Sequence, residues 1–226
     1  MSETPATPRA VRSFVRREGR MTSAQRRALE ALADTYRWPF ETSVPESITG
    51  RCAPLWLEVG CGDGENVLAA ARAHPARDYL ACEVHGPGVG HLLNGIAQAR
   101  LTNLRVARCD VFELLKVLPA ESLAAASVFF PDPWPKKRHH KRRLLQAPFF
   151  TELARVLARH GRLFVATDWA DYAQEVAALV ETLPAWCNLA GPGRRAPRPK
   201  ARVPTKFERR AQREGRAVAD FVFARR

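Results

Sequence analysis

The sequence predicts an α/β protein with a doubly wound, mostly parallel seven-stranded sheet of Rossmann-like type. Three observations predict it. Short apolar runs alternate with helix-like segments from Leu55 to Thr167. A glycine-rich turn follows the first run, in LWLEVGCGDGENVL. Acidic residues recur at or just beyond the ends of later runs, at Glu83, Asp110, Asp132 and Asp168. Apolar strands separated by helices bury both faces of a sheet, which is the parallel arrangement.

Taken in order, residues 1–20 form a Pro-, Thr- and Arg-rich leader, expected to be flexible. Thr22 and Ser23 then precede AQRRALEALADTY, a short capped helix that Trp38-Pro39-Phe40 ends. Residues 41–54 read as an irregular link. Strands are expected at 55–59, 79–83, 104–109, 125–130 and 163–167. Helices are expected between and after them, at 65–74, 88–100, 111–117, 146–159 and 171–182. Two further strands, 186–190 and 218–223, flank a Pro/Arg-rich loop and bring the sheet to seven. Residues 21–226 therefore read as a single domain with a basic C-terminal segment.

Composition narrows the function. The chain has 226 residues, 46% of them hydrophobic, which suits one α/β domain with extensions. No apolar run approaches the ~20 residues of a membrane helix, and the first residues show no apolar signal-peptide core. The five cysteines form no C-x-x-C pair, and Cys82 and Cys109 sit in apolar runs. They read as buried free thiols of a reducing cytoplasm. The net charge of +13 is unevenly spread. Residues 1–27 carry seven Lys/Arg against two acids, and residues 194–226 carry twelve against three. Residues 28–193 carry seventeen against eighteen. A neutral centre with basic ends points to a polyanionic partner.

The glycine turn carries the first chemistry. Gly60, Gly62 and Gly64 alternate after a strand that contains Glu58, and Asp63 lies among them. Glycine leaves room for a ligand to approach the backbone. Two carboxylates would repel a pyrophosphate. They suit S-adenosylmethionine, which has a sulfonium, an ammonium and a ribose but no phosphate. Glu83 follows Gly64 by nineteen residues, the place of an acid that accepts ribose hydroxyls. Asp110 ends the third strand, either beside an adenine or as the N-cap of the next helix. His85 and His91 read as surface or packing residues, and no metal-ligand spacing is present.

The fourth strand runs into VFFPDPWPKKRHHKRR. Pro131, Pro133 and Pro135 stiffen a loop around Asp132 and Trp134. Lys136 to Arg143 then hold six Lys/Arg in eight residues, which read either as a solvated basic turn or as a phosphate clamp beside a base pocket, with Trp134 packing that pocket or stacking on a base. The fifth strand ends at Asp168 and Trp169, where Asp168 either joins the site or caps a helix.

These segments resemble the tRNA (guanine-N7-)-methyltransferase family. The matching blocks are GRMTSAQRRALE, LEVGCGDGENV, EVHGPGVG, PDPWPKKRHHKRR, ATDWADYA and PTKFERR. The resemblance implies a class I methyltransferase fold and transfer of a methyl group to a variable-loop guanosine of tRNA. It implies that Glu58, Gly60, Gly62, Glu83 and Asp110 bind S-adenosylmethionine and that Asp132 is the catalytic acid. It implies substrate contacts from Lys136, Asp168, Thr205, Lys206, Phe207 and Glu208. It also implies RNA contacts from Arg138, His139, His140, Lys141, Arg142 and Arg143. A cytoplasmic monomer or homodimer without metal is expected. Gly86, Cys109 and Ala211 depart from the family pattern, where arginine, glycine and glycine respectively are expected. The rival readings are an RNA methyltransferase acting on another base atom and a non-catalytic RNA-binding relative.

Overall fold

In the computed structural model, residues 19–39 and 50–226 are described. The expected leader falls almost wholly outside them, as does most of the link at 41–54. The first helix, α1 (Ser23–Tyr36), begins at a capping box: Thr22 Oγ1 accepts from Gln25 N, and Gln25 Oε1 accepts from Thr22 N. Both amides would otherwise lack partners. Five strands follow in parallel: β1 (Leu55–Val59), β2 (Asp78–Cys82), β3 (Leu104–Ala107), β4 (Leu123–Phe129) and β5 (Leu157–Thr167). Two antiparallel strands, β6 (Trp186–Asn188) and β7 (Ala219–Arg225), complete the sheet. The order is β3-β2-β1-β4-β5-β7-β6.

Helices α2 (Glu65–Ala73), α3 (Gly86–Ala99), α4 (Val111–Val117), α5 (Ala147–Val156) and α6 (Ala170–Glu181) connect the strands. A last helix, α7 (Lys206–Arg213), lies in the C-terminal segment. All five residues of β2 are buried, as a strand covered on both faces requires. One cluster of buried side chains runs from Leu57 and Leu80 through Phe149, Phe150 and Trp186 to Phe223. A second gathers Ala28, Val67, Leu92, Ile96 and Val106 under α1 and α3. Among the described residues no helix is long and apolar enough to cross a membrane.

Strand order reverses between β1 and β4, so the connections leaving their carboxyl ends diverge and open a crevice. Three adjustments to the expected elements follow from packing. α3 starts at Gly86, and its Gly88 lies so close to the glycine turn that a Cβ there would meet Gly62 O at 2.6 Å. β5 starts at Leu157, where a helix to residue 159 was expected, because Leu157 already pairs with Leu123. Left-handed His160 (φ 60°) and Gly161 then carry the strand past a register shift. The basic run forms a single 3-10 stretch, Lys137–Arg142.

Candidate active site

A cleft of about 470 Å³ occupies this crevice. Gly60 and Gly62 line it with Glu83, Asp110 and Asp132, and Lys206 and Phe207 of α7 close one side. Gly60, Gly62 and Gly64 all have positive φ, at 67°, 57° and 80°. A Cβ on Gly60 would meet nothing within 4 Å, so this backbone is open to a ligand. A Cβ on Gly64 would lie 2.5 Å from Leu92 Cδ1, so that glycine serves helix packing.

Glu83 is buried, and its carboxylate accepts three backbone bonds: from Gly62 N at 2.8 Å, Val84 N at 2.7 Å and His85 N at 2.9 Å. The acid at the end of β2 thereby fixes the glycine turn after β1. Asp110 takes the capping role and also stands at the cleft. It caps α4 by accepting from Phe112 N at 2.9 Å, and it lines the cleft.

Asp132 stands opposite. The residues bracketing its Pro-Asp-Pro turn, Phe130 (φ 52°) and Trp134 (φ 46°), are both left-handed. Bulky side chains rarely adopt that conformation, and such strain gathers at functional sites. Desolvation, then the charge of Glu83, raises the Asp132 carboxyl above the ordinary range. Trp134 does not line the cleft. It packs on the basic turn, with the Arg142 guanidinium 5.0 Å above its ring and His139 edge-on at 5.8 Å.

The expected RNA-contacting run divides in two. Lys136, Lys137, Arg138 and Lys141 are exposed, and His139, His140 and Arg142 are half-buried. Arg143 corrects the expectation. Its side chain is 1% exposed and bridges Asp171 and Glu175, so it cannot reach a phosphate. Glu208 is a second correction. It is buried between Arg198 and Arg202, whose nitrogens lie 2.9 and 2.7 Å from its oxygens, so its carboxylate is engaged within the protein. A buried charge must be paired: Arg143 meets acids 28 and 32 residues on, and Glu208 meets arginines six and ten residues before it.

Other expected residues are placed as follows. Lys206 reaches the glycine turn, and Phe207, 44% exposed, lies beside Gly62. Thr205 caps α7 by accepting from Glu208 N. Lys136 lies on the exposed turn beyond the cleft. Asp168 is held by Arg216, with Nη2 2.7 Å from its Oδ2, outside the cleft lining. Glu58 also lies outside that lining, beneath the turn. Asn66 Nδ2 donates to it at 2.6 Å, and Asn66 Oδ1 accepts from Val203 N. Burial raises the Glu58 carboxyl to about 7, against the lesser pull of the Asn66 bond.

Several contributors escape a reading of the sequence. Cys82, Cys109 and Leu144 line the cleft; the cysteines are expected buried, but nothing local marks them as cleft residues. Arg198, Arg202 and Arg216 read as part of a basic tail, yet they pair with Glu208, Asp220 and Asp168. Their partners lie 10, 18 and 48 residues away, too far for the short-range pairs of a helix face.

Comparison with known proteins shows the family. A family described as "Putative methyltransferase" matches residues 52–221. The tRNA (guanine-N(7)-)-methyltransferase of Halorhodospira halophila is 49% identical, covering 96% of this chain and 95% of that protein. That of Leifsonia xyli is 45% identical, covering 94% of each. In fold, the chain is similar to the 16S rRNA methyltransferase KamB, with a TM-score of 0.56 at 19% identity over 80% of this chain and 91% of that one. It is also similar to the aminoglycoside resistance methyltransferase NpmB1, with a TM-score of 0.54 at 14% identity over 84% and 95%. Identity of 45–49% over nearly the whole of each chain, with a family match across residues 52–221, means that the chain belongs to the tRNA (guanine-N(7)-)-methyltransferase family.

Proposed function

We propose that this protein transfers a methyl group from S-adenosylmethionine to N7 of a guanosine in the variable loop of tRNA. The observation that carries the reading is the crevice between β1 and β4, rimmed by acids and bordered by an exposed basic turn. Acids without a phosphate cradle fit a cationic cofactor. The bare backbone at Gly60 leaves space for it, and Glu83, held by three amides, would accept ribose hydroxyls. Asp110 would take the adenine side. S-adenosylmethionine, when bound, supplies an electrophilic methyl group.

The chain's own residues then perform positioning and charge stabilisation. Guanine N7 has an in-plane lone pair, so no base is needed to remove a proton and no metal is needed to activate the nucleophile. Alignment of nucleophile, methyl carbon and leaving sulfur supplies most of the rate. The purine becomes cationic as the bond forms. Asp132 faces that charge and stabilises it as it develops. The same carboxylate can accept from guanine N1 and N2, which adenine does not match. Lys136, Thr205, Lys206 and Phe207 border the substrate side, and Asp168 joins them when Arg216 yields it. The exposed Lys137, Arg138 and Lys141 hold phosphates around a base drawn out of its stack. Residues 21–226 would act as one catalytic domain, in the cytoplasm where tRNA is found, as a monomer or homodimer.

Labelled S-adenosylmethionine incubated with the protein and unmodified tRNA tests this. Digestion to nucleosides is expected to yield labelled 7-methylguanosine. Label in a methylated exocyclic amine would mean a different base atom, and no transfer would leave an RNA-binding protein.

A further inference from the structure

The loop that holds Asp132 is tied down by one buried guanidinium. Arg143 Nε donates to Pro133 O at 2.8 Å. Its other two nitrogens donate to Glu175 Oε2 at 2.5 Å and Asp171 Oδ2 at 2.8 Å. Those acids lie four apart on α6, side by side on one face. The guanidinium also lies 4.7 Å over the Tyr172 ring. Tyr172 is itself buried, and its hydroxyl accepts from Leu145 N at 2.9 Å. Arg143 therefore joins three things: the backbone next to Asp132, the end of the basic turn, and a helix rooted in the core.

We infer that Arg143 is a positioning residue that clamps the Pro-Asp-Pro turn and so sets where Asp132 stands in the cleft. The inference rests on the role proposed for Asp132. Three acceptors surround Arg143 in one fork, and its planar guanidinium matches them, whereas a lysine ammonium is a point donor on a flexible stem. The clamp is needed because the turn is bracketed by two left-handed bulky residues, Phe130 and Trp134, and such a conformation persists only when its surroundings over-determine it. A basic run thus contains two functions: the exposed members face the polyanion, and the last member faces inward.

The test uses full-length protein with Arg143→Gln, Arg143→Lys, Asp132→Asn and the double variant Asp132→Asn/Arg143→Gln. Single-turnover methylation is measured at saturating tRNA and S-adenosylmethionine. Arg143→Gln is expected to slow transfer on the order of 10²-fold, the effect of a misplaced reacting group, and Arg143→Lys is not expected to restore it. In the Asp132→Asn background the same change is expected to cost less than about threefold, since the two act as one unit. Cofactor affinity and the salt dependence of tRNA binding are expected to stay unchanged. Amide exchange at Phe130 and His139, whose bonds to Ala166 O and Lys136 O flank the turn, is expected to accelerate.

Independent, additive losses in the cycle, or a reduced salt dependence, would overturn the inference. If Asp132→Asn methylates at the wild-type rate, the role of Asp132 fails by itself. The exchange measurement still decides the clamp: faster exchange supports it and unchanged exchange overturns it. Should Arg143→Gln fail to fold, Glu175→Gln removes one arm of the fork and is expected to give the same pattern at smaller amplitude; no effect on rate or exchange would overturn the inference.

Discussion

Lys206 Nζ lies 2.6 Å from Asp63 Oδ2, joining residues 143 apart in the sequence. Beside it, Arg209 pairs with Glu65, and the Lys206 amide donates to the same carboxylate. Helix α7 is thereby fastened to the turn that lines the cleft. The segment expected to hold substrate and the segment expected to hold cofactor touch directly.

Both side chains of the Lys206–Asp63 pair are partly exposed, at 47% and 32%. Such pairs contribute little to stability, at most about 1 kcal/mol. Lys206→Ala is therefore expected to leave thermal unfolding nearly unchanged while raising the KM for tRNA. Thermal melts and steady-state kinetics on the same preparation check this, and a large loss of stability with unaltered KM would reverse the assignment.

Asp132→Asn keeps the shape of the loop and removes its charge. Loss of a preorganised group facing developing charge costs on the order of 10²–10³-fold in kcat. Affinity for S-adenosylmethionine, measured by calorimetry, is expected to change far less.

The raised Asp132 carboxyl also predicts a pH profile. Activity requires its ionised form, so the rate falls as pH drops through a value raised from that of an ordinary aspartate, because desolvation first and Glu83 second disfavour ionisation. A cationic cofactor beside it favours the ionised form, so saturating S-adenosylmethionine is expected to move the acid limb lower. In Asp132→Asn this limb is expected to disappear from the residual activity.

Glu58 makes a separate prediction about stability. Its carboxyl is raised from 4.5 to about 7, chiefly by burial. The folded state therefore favours the protonated form. That stability is complete below the unfolded value and is lost as pH rises through the folded one. The full difference is about 3 kcal/mol. Urea unfolding at about pH 5 and about pH 8 is expected to show the cofactor-free protein less stable at the higher pH, with Glu58→Gln removing most of that difference.

The basic turn predicts a salt dependence. Lys137 and Lys141 lie exposed on it. Removing one cation that neutralises a phosphate lowers the slope of log affinity against log salt by about one. Lys137→Ala and Lys141→Ala are each expected to do so in filter binding with tRNA.

Much of this is legible in the sequence because it is local. The Gly60-Gly62-Gly64 turn, the acid at Glu83 and the cap at Asp110 follow from short-range spacing, and each appears where strand ends meet. Asp132 is marked by its flanking prolines. What spacing cannot show is which charge goes inside. Arg143 looks like one of six equivalent cations, and it is Asp171 and Glu175, 28 and 32 residues on, that make it an interior residue. Glu208 looks available for substrate until Arg202 and Arg198 enclose it. Glu58 sits beside the glycines in sequence, but strand alternation turns it beneath them, toward Asn66. β5 begins early because Leu157 finds a partner strand of which its helix-like surroundings give no hint.

Most directly at stake is whether one ring nitrogen of one tRNA guanosine receives the methyl group. Unmodified tRNA incubated with the protein and S-adenosylmethionine can be reduced and cleaved at N7-methylated guanosines, then resolved to the nucleotide. A single break in the variable loop that vanishes with Asp132→Asn is the predicted result. Breaks scattered over many guanosines, or methylated RNA that resists this cleavage, would contradict it.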